Sequence, residues 1–88
     1  MKQWFYGIYG IEFIWHGEYN DPELRWHKKS FNYYDLENAL WDAYTEECRF
    51  DYSKDPDEKE FPVWVKKNAA FARELLQNFM ERGYFYGC

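Results

Sequence analysis

Hydrophobic side chains fill both alternating sets of positions in the first part of the chain. Between residues 3 and 15 they are mainly isoleucine and aromatic residues, which suit a pleated strand. Because both faces would be apolar, the pattern predicts one long central strand that is covered on both sides. Gly7 and Gly10 interrupt this stretch, and they predict either a bulge or a close approach by another segment.

A turn and a second strand follow. Asp21 and Pro22 favour a turn over residues 17 to 23, since Asp hydrogen-bonds locally and Pro fixes φ. Residues 24 to 31 then return as a strand, with Leu24 and Trp26 on one face and basic residues on the other. The two strands are predicted to form a β-hairpin.

The first helix is predicted from Asn32 to about Arg49. Asn32 is a good N-cap, and Asp35 stands three residues later, like the acidic half of a capping box. Apolar residues follow at helical spacing, namely Leu36, Leu40, Ala43, Tyr44 and Cys48. Residues 50 to 60 are charged and contain Pro56, so they are predicted to form a loop.

A second helix is predicted over residues 63 to 82. Pro62 suits the first turn of a helix, and Gly83 suits its C-terminal cap. Residues 84 to 86 are predicted to add a short closing strand beside the first strand. The order β-β-α-α, with that short strand, predicts a single α+β domain over residues 1–88, in which two helices cover a small antiparallel sheet.

Aromatic residues make up 25% of the 88 residues, with five Trp, nine Tyr and eight Phe. Each buried ring removes about 150–250 Å² from water, so a core for a short chain needs only part of this set. The remaining rings are expected at the surface, where exposed Tyr and Trp are enriched at binding hot spots.

Cysteine content and the chain ends predict a cytoplasmic protein. Cys48 and Cys88 are the only cysteines and do not form a Cys-x-x-Cys pair, which fits a reducing compartment. Cys48 is expected to be buried in the first helix, whereas Cys88 is expected to be exposed and able to form an intermolecular disulfide. The first six residues lack a signal-peptide pattern, and no apolar stretch is long enough to span a membrane.

The net charge of −5 is concentrated in the middle of the chain. Residues 35 to 60 hold ten acidic and three basic residues, while residues 1 to 34 are neutral and residues 61 to 88 carry +2. At about 100° per residue, Asp35, Asp42 and Glu46 form one stripe along the first helix. No lysine stands four residues away to offset their repulsion, so this pattern does not serve the stability of the helix.

We therefore expect this acidic region to dock on a basic groove of another protein. Trp41 and Tyr52 are the predicted aromatic anchors, because the neighbouring apolar positions already define the buried face of the helix. The predicted partner-binding residues are Asp35, Glu37, Trp41, Asp42, Glu46, Glu47, Asp51, Tyr52, Asp55, Asp57 and Glu58. An equally simple interpretation is that these carboxylates form only a solvated surface.

A row of carboxylates can also imitate the phosphates of duplex DNA. Small acidic inhibitors of nucleic-acid enzymes, including phage anti-restriction and anti-CRISPR proteins, use this device, and the similarity here is one of composition alone. This similarity of composition predicts an inhibitor encoded by a phage or mobile element, whose partner would be a nucleic-acid-processing enzyme.

Catalysis and metal binding find little support in the sequence. His16 and His27 would lie opposite each other in the predicted hairpin, where Glu12 or Glu18 could complete a metal site. None of the motifs for a serine hydrolase, a zinc protease or a nucleotide-binding loop occurs. We therefore predict neither an enzyme nor a cofactor.

The main alternative is a nucleic-acid-binding domain that uses the second strand. Arg25, Lys28 and Lys29 alternate there with Trp26, His27 and Phe31, and exposed rings beside basic residues can stack on single strands. The acidic pI of about 4.9 argues against this alternative. A sugar-binding surface built from Trp and Asp is a further option, and an open sheet edge would allow a homodimer.

Overall fold

Three short strands precede three helices in the computed structural model, which describes residues 4–87. The strands form one antiparallel sheet of order β1-β2-β3, so the predicted α+β class with a small sheet is confirmed. Cys88 lies outside the described residues. The elements are a 3-10 helix at Trp4–Gly7, β1 at Glu12–Ile14, β2 at Glu23–Trp26, β3 at Lys29–Asn32, α1 at Tyr33–Asp51, α2 at Phe61–Lys67 and α3 at Ala69–Arg82.

The predicted long first strand is wrong, because only residues 12 to 14 form a strand. Trp4 and Phe5 are adjacent and both buried in the same core cluster, which a 3-10 helix allows, whereas a strand would place them on opposite faces. Gly10 then turns the chain at a φ of +83°. Gly7 confirms the predicted close approach, since a Cβ there would lie 2.9 Å from Cα of Lys66 on α2.

The predicted second strand is instead two strands joined by a tight turn. Trp26 pairs with Lys29, and the two residues between them have positive φ, +51° at His27 and +64° at Lys28. Positive φ at both central positions is typical of a type I′ turn, in which Asn-Gly is the usual sequence. His27 and Lys28 are neither Asn nor Gly, so the sequence of this segment does not predict a turn here. The predicted hairpin between the first two strands is confirmed, because β1 and β2 pair antiparallel.

Helix α1 begins at the predicted cap and continues two residues past its predicted end. The Asn32 Oδ1 atom accepts a hydrogen bond of 2.9 Å from the Tyr34 N–H, and the Asn32 amide donates to Asp21 at 2.9 Å. Of the apolar positions at helical spacing, Leu36, Leu40, Tyr44 and Cys48 are buried as expected, whereas Ala43 is half-buried.

The predicted second helix is interrupted at Asn68 and forms two helices, α2 and α3. Asn68 leaves the helical region at ψ +33°, and its side chain donates a 2.9 Å hydrogen bond to the Trp64 carbonyl. The break lets α2 pack against the 3-10 helix while α3 contacts α1. Pro62 in the first turn of α2 and Gly83 at φ +75° confirm the predicted start and stop signals. Within residues 4–87, no helix combines the length and the apolar character needed to cross a bilayer.

The expected closing strand is absent from residues 84–86. One backbone hydrogen bond of 2.8 Å joins the Tyr86 N–H to the Ser30 carbonyl on β3, which is too little to extend the sheet. The Tyr86 hydroxyl donates to the Asp21 carbonyl at 2.7 Å, so this segment also contacts the loop that leads into β2.

The core is centred on the fully buried ring of Trp4. This ring lies 5.4 Å from Tyr33 and 6.1 Å from Phe61, measured between ring centres. Its indole N–H is shared between the Tyr33 hydroxyl at 3.1 Å and the Glu37 carboxylate at 2.9 Å. The N-terminal segment, α1 and α2 therefore meet at one aromatic side chain.

The outer face of the sheet holds a buried carboxylate. Glu23 is only 6% exposed and accepts hydrogen bonds from Ser30, from His16 at 2.8 Å and from Arg25 at 3.2 Å. The Ser30 and His16 hydrogen bonds hold the pKa of Glu23 below its ordinary value, and burial opposes them only in part.

The strained turn between β2 and β3 yields a stability prediction. Replacing His27→Asn and Lys28→Gly should raise the free energy of unfolding by about 1 kcal/mol, because both new residues tolerate positive φ. Thermal unfolding should then show a melting temperature higher by about 4–8 °C. The control His27→Ala with Lys28→Ala keeps the strain, and an equal gain in that variant would contradict this explanation.

The Glu23 network predicts a dependence of stability on pH. Because the pKa of Glu23 is lowered in the folded state, its contribution is present above the unfolded pKa and is lost as pH falls through the folded pKa. Between about pH 5 and pH 3, the stability of the wild type should therefore fall more steeply than that of Glu23→Gln. Urea unfolding across this range measures the slopes, with Glu18→Gln as an exposed control that should keep the wild-type slope.

Candidate functional site

Three carboxylates form an exposed row along α1, which we call the acidic face: Asp35, Asp42 and Glu46. Helical geometry places them on the side of α1 opposite the buried Tyr44 and Leu40. Among the described residues, none of the three lies within 4.0 Å of a cationic group. The predicted stripe is therefore exposed to solvent without an ion pair among the described residues, and Arg49 stands three residues after Glu46 at its end.

Glu37 and Glu47, also predicted to bind a partner, do not belong to this face. Both are half-buried, and each accepts a hydrogen bond from a tryptophan indole N–H, Glu37 from Trp4 and Glu47 from Trp64. A buried indole N–H without an acceptor is costly, so these two carboxylates stabilise the core. Burial, followed by the hydrogen bond to Glu37, raises the pKa of Tyr33 beside this site.

Asp57 also has a role in the fold, because it organises the start of α2. Its side chain accepts a 2.8 Å hydrogen bond from the Lys59 N–H, and its carbonyl accepts from the Phe61 N–H at 3.1 Å. The Tyr44 hydroxyl donates to the same carbonyl at 3.2 Å and accepts from the Asp57 N–H at 3.1 Å. The pKa of Tyr44 is raised, chiefly by burial.

The other predicted acidic residues, Asp51, Asp55 and Glu58, are exposed. Asp51 ends α1, and the other two lie in the segment before α2. Glu60, in the same segment, is paired with Lys54 at 3.1 Å, and that contact raises the pKa of Lys54. The negative region therefore continues past α1, although it is less dense than the sequence count implies.

The two predicted aromatic anchors differ in accessibility. Trp41 is half-buried, and its ring packs edge-on against Phe61 at 5.1 Å and near Tyr44 at 5.5 Å. Tyr52 is 63% exposed at the end of α1. Of these two rings, Tyr52 presents more of its surface to a partner.

Phe50 is a surface residue that the sequence interpretation missed. It is 82% exposed and stands four residues after Glu46, so it lies one turn further along the same side of α1. The sequence interpretation ended the helix at Arg49, and the i+4 relation to Glu46 is the signal that could have identified Phe50. The acidic face therefore ends at an exposed apolar ring.

The strand proposed for nucleic-acid binding presents few rings to solvent. Trp26 and Phe31 are buried in the core, and only His27 of the three predicted rings is exposed. Arg25 contacts Glu23 at 3.2 Å and Glu12 at 4.0 Å, so carboxylates already surround its charge. Lys28 and Lys29 remain exposed at the turn.

The expected pairing of His16 with His27 is wrong. Glu12 pairs with Arg25, and this register places His16 toward the Asp21 end of the hairpin and His27 beyond the other end of β2. His16 instead contacts Glu23. Residues 4–87 contain no group of three or more His, Cys, Asp and Glu side chains arranged to hold a metal ion.

The two kinds of carboxylate on α1 should respond differently to removal. Glu37→Ala should lower the free energy of unfolding by about 1–2 kcal/mol, because the buried Trp4 N–H loses its charged acceptor and keeps only the Tyr33 hydroxyl at 3.1 Å. Glu46→Ala on the acidic face should change it by no more than about 0.5 kcal/mol. Urea unfolding of both variants tests this distinction, and equal losses would show that Glu37 has no special structural role.

The chain matches no protein-family model, and comparison with curated proteins and with solved structures likewise finds no match. Function must therefore be inferred from the geometry and charge of these surfaces.

Proposed function

We propose that this chain is a protein-binding module that docks its acidic face on a basic surface of a partner protein. The observation that carries the proposal is the combination of exposed carboxylates that form no ion pair within 4.0 Å with the exposed Phe50 ring on one side of α1. Carboxylates supply long-range attraction and orientation, while an exposed ring supplies apolar contact area.

The energetics of α1 support this proposal. Asp42 and Glu46 stand four residues apart, where like charges destabilise a helix by about 0.2–0.5 kcal/mol. Glu46 also lies toward the C-terminal end of α1, which carries the negative end of the helix dipole. Neither carboxylate has a cationic partner in the described fold, so a basic surface would relieve repulsion that the isolated chain retains.

The charge density of α1 favours a partner with a basic patch over a partner with a groove that holds duplex DNA. A helix of 19 residues is about 28 Å long, and duplex DNA of that length carries roughly 16 charges. The exposed carboxylates of α1 are only Asp35, Asp42, Glu46 and Asp51. Inhibition of a nucleic-acid-processing enzyme is thus a more specific version of the proposal. It requires an enzyme whose basic surface can bind a helix with fewer negative charges than duplex DNA of the same length.

Direct nucleic-acid binding is less well supported by the geometry. The strand that would carry it buries Trp26 and Phe31, which removes the rings needed for stacking on bases. The lysines at the β2–β3 turn are two isolated exposed charges on a chain of net charge −5. A gel-shift with single- and double-stranded oligonucleotides at two salt concentrations should accordingly show no shift.

Charge reversal on the acidic face tests the docking proposal. Wild-type chain immobilised in a cell lysate is used to capture and identify a partner, and the affinity of the purified partner is then measured for each variant. Asp42→Lys with Glu46→Lys should abolish binding, because the attraction becomes repulsion. The melting temperature should stay unchanged or rise, since both side chains are exposed and unpaired.

A second double reversal separates a local effect from a change in total charge. Glu74→Lys with Glu81→Lys alters two exposed carboxylates of α3 and changes the net charge by the same amount. This control should bind the partner as tightly as the wild type does, because its acidic face is intact. Equal loss in both variants, or binding that survives reversal of Asp42 and Glu46, would refute the docking face.

A further inference from the structure

An open cleft lies on the side of α1 away from the acidic face. It is bounded by the C-terminal half of α1, by the segment before α2 and by α2 itself, and its volume is about 490 Å³. This volume falls in the range of about 300–1,000 Å³ that is usual for small-molecule sites. Its position places it apart from the surface of the proposed function.

Aromatic rings supply much of the lining of the cleft. Tyr44 and Trp64 lie 5.5 Å apart between ring centres, and Tyr52 extends into solvent at the edge with its ring 5.7 Å from the Lys54 ammonium. The buried Cys48 also lines the cleft. Because Tyr44 and Cys48 are almost fully buried, Tyr52 and Trp64 provide most of the aromatic surface that a flat guest could contact.

The charges of the cleft leave an excess of cations. Of its two carboxylates, Glu60 is paired with a cation, Lys54, whereas Glu47 accepts a hydrogen bond from the neutral Trp64 indole N–H. Lys59 and Lys67 also line the cleft, and neither lies within 4.0 Å of a carboxylate among residues 4–87. With three lysines against two glutamates, the lining has a formal excess of one positive charge, and Lys59 and Lys67 are the groups available to an anion.

We propose that the cleft between α1 and α2 binds a small aromatic carboxylate. Its ring would lie against Tyr44, Tyr52 and Trp64, and its carboxylate would contact Lys59 and Lys67. The lysines select the charge of the guest, and the rings select its flat apolar part. The site uses none of the carboxylates of the acidic face, so it is independent of the proposed function.

The proposal is tested with 2-naphthoate added to the isotopically labelled chain and followed by NMR. Saturable shifts should appear at the backbone amides of Tyr44 and Cys48 and at the indole N–H of Trp64, which reports on its hydrogen bond to Glu47. The neutral isostere 2-naphthamide should bind about tenfold more weakly, because it lacks two weak ion pairs. Inorganic phosphate, which has no ring, should give no saturable shift at Trp64.

Variants of the lysines locate the anion contact. Lys59→Gln with Lys67→Gln should weaken 2-naphthoate binding about tenfold and leave binding of 2-naphthamide unchanged. Lys66→Gln is the matched control, since Lys66 is exposed in the same last turn of α2 but does not line the cleft. Its affinity for 2-naphthoate should stay within about twofold of the wild type.

Three outcomes would overturn the proposal. The first is the absence of saturable shifts with 2-naphthoate, and the second is equal affinity for naphthoate and naphthamide. The third is a loss of affinity in the Lys66 control as large, per positive charge removed, as the loss in the double variant, which would mean that only total charge matters. Unfolding curves accompany each variant, because a retained melting temperature shows that the cleft is still formed.

Discussion

Burial of the Trp4 indole, with its N–H satisfied, is the interaction on which the other contacts of the fold depend. The ring packs on Tyr33 of α1 and Phe61 of α2, while its N–H is shared by the Tyr33 hydroxyl and the Glu37 carboxylate. The N-terminal segment therefore follows a 3-10 helix that turns this ring inward. Close packing of that helix on α2 requires Gly7, where a side chain would meet the backbone of Lys66.

Because of this constraint, some of the acidic residues have a structural role and do not belong to the acidic face. A core with many tryptophans needs hydrogen-bond acceptors for indole N–H groups, and two carboxylates of α1 supply them. Asp57 supplies another structural contact by ordering the turn before α2. The carboxylates that remain without a role in the fold are fewer than the sequence implies: Asp35, Asp42 and Glu46 lie on the side of α1 that ends at Phe50, and Asp51, Asp55 and Glu58 follow at the end of α1 and in the segment after it.

Helix α1 consequently has two surfaces of opposite character. One side carries exposed carboxylates and faces solvent, whereas the C-terminal half of the other side borders a cleft with two lysines that no described carboxylate pairs. We propose that the first surface attracts a basic protein and that the second holds a small anion. Their separation across the helix allows the two proposals to be examined in the same molecule without one depending on the other.

The sequence by itself determined the α+β class, the position and cap of α1, the start and stop signals at Pro62 and Gly83, and the exposed stripe of Asp35, Asp42 and Glu46. These features follow from local periodicity and capping, which neighbouring residues decide. Only the tertiary structure decided the 3-10 helix at the N-terminus, the turn at residues 27–28 and the break at Asn68. Each of these depends on packing between segments that are distant in the sequence, and local sequence patterns do not encode that packing. For the same reason, the sequence could not separate Glu37 and Glu47 from the acidic face, because their indole partners are 33 and 17 residues away along the chain.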